Sequence, residues 1–220
     1  MIYYSIGDRE LSFTTDNGVF SKDGVDFGSN LLIKTAISEG YSGKTLDLGC
    51  GYGPVGISLY THNPDIELVM ADINQRAVEL CRKNVALNIS LKDVYYGAPE
   101  SRGDDKNNNG VEVICSDGFS GIRQSEGGLR YFNYIFLNPP IRAGKTVVFR
   151  LYNECLDNLE VGGHLYVVIQ KKHGMSSSFK ELQRLFGNCA KIAKKSGYFV
   201  LLSLKDIEIS AHEQQAITSA

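Results

Sequence analysis

The chain has 220 residues, 43% of them apolar and 22% charged, with a net charge of −2. That length can bury a sizeable core within one domain, and the near-balanced charge argues against indiscriminate binding to polyanions. Five well-separated cysteines without a C-x-x-C, and four histidines without ligand spacing, suit a reduced compartment and leave no metal site to propose.

The opening MIYYSIGDRE lacks the basic end and long apolar stretch of a secretory signal, and no later run approaches membrane-spanning length, so a cytoplasmic protein with no membrane contact is expected. Residues 10–15 and 18–27 alternate apolar and polar and carry Asn-Gly and Asp-Gly turn signals, which predicts a hairpin-like lead-in over 1–28. A helix follows over 29–38, with Ser29 or Asn30 as its cap. Beyond Lys44, strands are expected over 44–48, 66–71, 111–116, 132–138, 164–170 and 197–205. Helices are expected between them over 54–62, 74–88, 146–160 and 176–186, the third stopped by Gly162-Gly163. Such alternation builds a mostly parallel sheet covered on both faces, with ligands at the carboxyl ends of its strands. The polar, asparagine-rich stretch 97–110 reads as a flexible surface insertion.

The strongest signal is 46-LDLGCGYGPVGISLY-60, a strand entering a glycine-rich turn and then a helix. Gly49, Gly51 and Gly53 permit a tight turn and close approach of a ligand, and Pro54 suits a first helical turn. Residues 51–56 also match G-x-G-x-x-G, the dinucleotide fingerprint, which keeps a nicotinamide-dependent oxidoreductase open. Charge separates the two. A pyrophosphate needs a positive helix terminus with free N–H groups, whereas Asp47 stands two residues before the glycines and Pro54 removes one N–H. Both features suit a ligand with positive charge near the turn. Asp72, closing the second strand, suits a ribose diol under either reading, or caps the helix that follows.

Four motifs, 47-DLGCGYGPVG-56, 72-DIN-74, 115-CSDGF-119 and 138-NPPIRAGK-145, in this order, resemble a class I S-adenosylmethionine-dependent methyltransferase. Over residues 18–205 the chain is similar to the small-domain family of ribosomal small-subunit RNA guanine-N2 methyltransferases. The resemblance implies an α/β, Rossmann-like fold with a seven-stranded, mostly parallel sheet, in a single domain whose catalytic part spans 29–220. It implies S-adenosylmethionine as cofactor, with Asp47, Gly49, Cys50 and Gly51 facing its methionine portion. Asp72 and Ile73 would meet the ribose side, Ser116 and Asp117 the adenine, and Asn138 would border the donor.

Asn138-Pro139-Pro140 ends a buried strand with a rigid unit. Exocyclic amines and amide nitrogens are poor nucleophiles because the lone pair is delocalised. The Asn138 side-chain carbonyl and the Pro139 backbone carbonyl can each accept one N–H hydrogen, aiming the lone pair at a methyl donor, while Pro140 holds the second carbonyl in place. Where many amino-directed methyltransferases carry a stacking Tyr or Phe, this chain has Ile141, so Arg142, Phe20 or Phe27 is expected to assist. Arg142 and Lys145 lie beside this motif. A second basic group, Lys171, Lys172, Lys180, Arg184, Lys191, Lys194 and Lys195, is opposed by Glu181 alone.

Arg142, Lys145, Lys171 and Lys172 are therefore expected to hold RNA phosphates, a solvated charged face being the plain alternative. The expected substrate is a guanine N2 in small-subunit ribosomal RNA. A protein glutamine or another nucleobase amine is the alternative within the same chemistry, and a non-catalytic binding module is a third reading. Self-association would be one source of further binding surface.

Overall fold

The computed structural model describes residues 1–16, 24–95, 110–122 and 131–206. The expectations for Phe20 and for 97–109 lie outside these residues.

The chain starts with an antiparallel pair, β1 (Ile2–Ile6) and β2 (Arg9–Phe13), in the register Ile2 to Phe13, turned at Gly7-Asp8 with Gly7 at φ +53°. A hairpin is therefore present in the lead-in, closing at Gly7-Asp8, while the expected turn at Asn17-Gly18 and most of 18–27 lie outside the described residues. The first helix, α1 (Phe27–Glu39), also starts earlier than expected. Its cap is Asp26, whose carboxylate accepts from the N–H groups of Gly28 (2.9 Å) and Ser29 (3.1 Å). Ser29 and Asn30 were the expected caps. The Asp26 side chain one turn earlier takes that role and leaves both side chains free for other partners.

The body is one sheet. Its strands are β3 (Lys44–Leu48), β4 (Glu67–Asp72), the two-residue β5 (Val94–Tyr95), β6 (Val111–Cys115), β7 (Phe132–Leu137), β8 (Leu159–Gln170), β9 (Ala190–Lys195) and β10 (Tyr198–Leu204). In space they run β5-β6-β4-β3-β7-β8-β10-β9. The first six are parallel to one another, and β10 is antiparallel to both its neighbours. The resemblance implied seven strands, six of them placed by residue; the sheet adds β9 and the short edge strand β5 to those six. The chain winds outward from β3 to β4 and β6, then returns to place β7 on the other side of β3. That reversal opens a crevice at the carboxyl ends of the strands, where α/β sheets bind ligands.

Helices α2 (Pro54–His62) and α3 (Gln75–Asn88) pack with α1 on one face, while α4 (Lys145–Asn158) and α5 (Met175–Phe186) cover the other. Strand alternation sorts the core accordingly. Leu68, Met70, Phe136, Tyr166 and Val168 point to the first face, whereas Val69, Ala71, Ile135, Leu137, Leu165 and Val167 point to the second.

Gly162 and Gly163 do not stop a helix. Helix α4 ends at Asn158 and the chain passes directly into β8, with the two glycines inside that strand. Gly162 has φ +82°, and a Cβ on Gly163 would lie 2.8 Å from the Glu160 carbonyl oxygen. They form an irregularity beside a register shift between β7 and β8.

Candidate active site

The crevice begins where β3 enters its glycine turn. Gly49, Gly51 and Gly53 all have positive φ (+73°, +58° and +96°), a region costly to any residue with a Cβ. Above Gly49 and Gly51 the space is open, with no atom within 4 Å of where a Cβ would stand. Gly53 precedes Pro54 at the head of α2.

The turn's amides are nearly all used internally. Gly49 and Cys50 donate to the Ala71 carbonyl (2.8 and 3.0 Å), Gly53 donates to the Cys50 carbonyl (2.9 Å), and Gly51 donates to Asp72 Oδ2 (2.9 Å). Gly56 donates to Asp47 Oδ2 at 2.8 Å, and Pro54 has no N–H. A pyrophosphate would find few donors here, so the literal dinucleotide match lacks the chemistry that gives it meaning.

Asp47 is 3% exposed, beneath the turn. Burial pushes its carboxyl up to about 7, the Gly56 N–H working against the shift and the neighbouring Asp72 charge adding to it. A cation arriving at the turn would favour the ionised form. The side chain of Cys50 points inward, its sulfur 4.0 Å from that of Cys81, and burial helps to raise its thiol well above the usual range after the Cys81 contact. Only the backbone of residue 50 is thus disposed toward a ligand.

Asp72 uses both oxygens, Oδ2 for Gly51 and Oδ1 for the N–H of Asn74 (2.8 Å). The helix cap itself is Asn74, whose side chain accepts from Arg76 N–H. Each Asp72 oxygen keeps a further acceptor site. Ile73, next in the chain, is a large apolar side chain left 66% exposed at the crevice. Cys115 is exposed at the end of β6, with its sulfur 3.7 Å from the Ile73 carbonyl oxygen.

Ser116 is buried, donating to the Gly118 carbonyl and accepting from Gly121 N–H, both at 2.8 Å, so its hydroxyl shapes the loop. Asp117 is exposed and accepts from Arg150 at 2.6 Å, and Arg150 in turn bonds Glu154 at 2.7 Å. Arg150 had no place in the sequence reading, since nothing local in α4 signals a partner 33 residues earlier.

Asn138 follows β7 and is partly buried. Its amide Nδ2 donates to Ser29 Oγ at 3.1 Å, which leaves Oδ1 as an acceptor without a protein partner among the described residues. Pro140 has φ −74° and ψ 77°, and Ile141 N–H reaches back to the Pro139 carbonyl at 2.8 Å. This is an inverse γ-turn, and the proline ring already holds the φ it requires. The Pro139 carbonyl is thereby fixed while one lone pair stays available.

Ile141 packs against the core of the second face, Arg142 is exposed, and Lys145 lies 4.8 Å over the Phe149 ring. Lys171 and Lys172 are exposed just past β8. Ser29, read from sequence only as a cap, is the residue that orients Asn138. Residues 24–29 span the crevice, since Tyr52 Oη of the glycine turn donates to the Gly24 carbonyl (3.3 Å) at one end and Ser29 meets Asn138 at the other.

The chain matches the methyltransferase small domain family over residues 10–98 and 97–202. It belongs to that family. The uncharacterized protein YbxB of Bacillus subtilis is 37% identical over 202 residues, covering 92% of this chain and 90% of its own length. Among solved structures, a T. thermophilus 16S rRNA N2 guanine methyltransferase in complex with AdoMet and guanosine superposes with a TM-score of 0.73 at 23% identity. That match covers 93% of this chain and 50% of that one, so the present chain spans half its length. A methyltransferase from Pyrococcus furiosus gives a TM-score of 0.63 at 18% identity, over 90% of both chains. These likenesses carry the fold.

The protein is an S-adenosylmethionine-dependent methyltransferase of class I, and its cofactor is S-adenosylmethionine. The family membership decides between the two cofactors that the glycine pattern left open. The residues present fit the group: open space over Gly49 and Gly51, an acidic side chain closing β4, and an exposed apolar one beside it. Among the described residues no group of three or more His, Cys, Asp or Glu side chains could hold a metal ion, and no helix is long and apolar enough to cross a membrane.

Proposed function

We propose that this methyltransferase modifies the exocyclic N2 of a guanine in small-subunit ribosomal RNA, in the cytoplasm. The observation that carries the reading is the pair of fixed acceptors after β7. Ser29 takes up the NH2 end of the Asn138 amide, so its carbonyl oxygen is left without a partner among the described residues, and the inverse γ-turn at Pro140 sets the Pro139 carbonyl. Two such oxygens accept both hydrogens of an amino group and draw its lone pair out of conjugation. S-adenosylmethionine supplies an electrophilic methyl group, so no strong base is needed to generate the nucleophile.

Asp72 would take the ribose hydroxyls with its remaining acceptor capacity, and Ile73 would cover an adenine face. Asp47 would act from beneath the turn as a buried carboxylate answering the ammonium of the methionine portion. Asp117, paired with Arg150, would reach the adenine amino group with its second oxygen. The RNA assignment draws support from the T. thermophilus enzyme, described as acting on 16S rRNA and solved with guanosine. It is supported also by Arg142, Lys145, Lys171 and Lys172, exposed near the crevice. If the target guanine is paired in a helix, it must be extruded to reach Asn138.

The test is incubation of the protein with radiolabelled S-adenosylmethionine and either ribosomal RNA or total cell protein, followed by nucleoside mass spectrometry. Label in RNA, on guanine N2, is expected. Label confined to protein would reject the assignment and favour a glutamine amide, which the same acceptor pair would hold.

A further inference from the structure

Ile141 leaves the acceptor pair without an aromatic neighbour in sequence, yet the structure brings two aromatic rings to the crevice from elsewhere. Phe27 opens α1, and Tyr198 opens β10. Their ring centroids are 5.4 Å apart at 35°. Phe27 is 37% exposed, unusual for a phenylalanine, and Tyr198 is partly so. Phe27 stands between Gly24, held at the glycine turn by Tyr52, and Ser29, held at Asn138.

The Tyr198 ring lies against the backbone of Gly28, where a Cβ would come within 3.2 Å of it. The first turn of α1 therefore presents Ser29 to the acceptor pair and, two residues away, carries a ring pair whose outer surface meets solvent. Cations rim the same end. Tyr198 pairs with Gln170 and with Lys195, Lys171 N–H donates to the Gly197 carbonyl at 2.8 Å, and Lys172 follows. Because β9 runs in the same direction as β8, Lys195 and Lys171 lie at the same end of the sheet.

From this juxtaposition we infer that Phe27 and Tyr198 form the stacking platform for the target base and that Lys171, Lys172 and Lys195 take the phosphates flanking it. The inference rests on the RNA reading above and names the residues that replace the missing aromatic. A flat heteroaromatic ring gains from a π-face, and the phosphates of its own strand are the anions nearest to it. The chemistry fits a single-stranded or extruded nucleotide.

The full chain, saturated with S-adenosylhomocysteine, is titrated into a short uridine-rich RNA carrying one 2-aminopurine. Binding is read by anisotropy, stacking by quenching of the 2-aminopurine. The parent protein should bind and quench. Phe27→Leu and Tyr198→Leu should each weaken binding about tenfold and lose most of the quenching, with S-adenosylhomocysteine affinity by calorimetry unchanged and Tyr198→Phe behaving like the parent. If Tyr198→Leu loses S-adenosylhomocysteine binding through misfolding, Phe27→Leu decides. If the parent binds and methylates RNA while the folded leucine variants bind and quench equally well, the platform is wrong and the RNA reading survives. If the parent neither binds nor methylates RNA, the RNA reading falls and this inference with it.

Discussion

In the proposed site Asn138 and Ser29 work as one unit, because the bond from Asn138 Nδ2 to Ser29 Oγ resists rotation of the amide. Replacing Asn138 with alanine removes one of two acceptors, and losses of this kind are about a hundredfold or more in kcat. S-adenosylhomocysteine binding should persist in that variant, as calorimetry would check. Ser29→Ala keeps the acceptor but frees its rotation, and a smaller fall in kcat, about tenfold, is expected in the same assay. Asp47 gives a pH signature. Its carboxyl is raised to about 7, chiefly by burial. The folded chain therefore holds a proton that the unfolded chain gives up in the ordinary carboxylate range. The stability this contributes is complete below that range and is lost as pH rises toward about 7. A cationic ligand reverses the preference by favouring the ionised form. Donor affinity should therefore rise with pH through about 7, and Asp47→Asn should flatten that profile in calorimetry at several pH values.

The first helix bears on the site through its start. Asp26 caps two N–H groups of α1, and the next three residues supply Phe27, the close approach at Gly28, and Ser29. Asp26→Ala should cost about 1 kcal/mol in chemical denaturation and lower kcat by letting Ser29 shift. This start was not legible in the sequence, because Ser29 and Asn30 are equally good cap types and only the contact with Asn138, 109 residues away, shows that Ser29 is otherwise engaged. By contrast α2 runs Pro54–His62 as expected, because Gly53-Pro54 mark its start unambiguously, whereas α3 is capped by Asn74, which the sequence placed as the helix's first residue with Asp72 as the alternative cap. Strand β9, AKIAKK, was read only as part of a cationic cluster. It is the edge of the sheet, and lysines on an edge strand discourage pairing with another chain. Lys191 and Lys194 rest over the Phe179 and Phe199 rings, and Arg184 is paired with Glu181. The basic run is therefore not one patch. Of the candidate site, the glycine turn and the Asn-Pro-Pro unit could be seen as motifs, whereas Ser29, Arg150 and Tyr198 could not, since each reaches the crevice through a contact distant in sequence.

For the whole molecule, the division of charge matters more than its sum. A net charge of −2 coexists with Arg142, Lys145, Lys171 and Lys172 exposed around one end of the sheet. Binding to single-stranded RNA should weaken with salt, each neutralised phosphate adding about 0.7 to the log–log slope. The double variant Lys171→Ala, Lys172→Ala should lower that slope by about 1.4 without changing S-adenosylhomocysteine affinity, as anisotropy titrations across a salt series would show.

The small β1–β2 pair is tied into this design by helix side chains. Asn84 exchanges hydrogen bonds with both backbone groups of Thr14 and also donates to the Tyr52 carbonyl, while Asn88 does the same for Ser12 and for the Asn84 carbonyl. Leu11 and Phe13 enter the main core. The opening ribbon thus serves as a keystone: one buried carboxamide, that of Asn84, joins it to the glycine bend where the donor is proposed to sit. Clipping the first sixteen residues would take away the Thr14 partners of this group, leave it the Tyr52 carbonyl, and loosen the floor beneath that bend, far from where the cut was made.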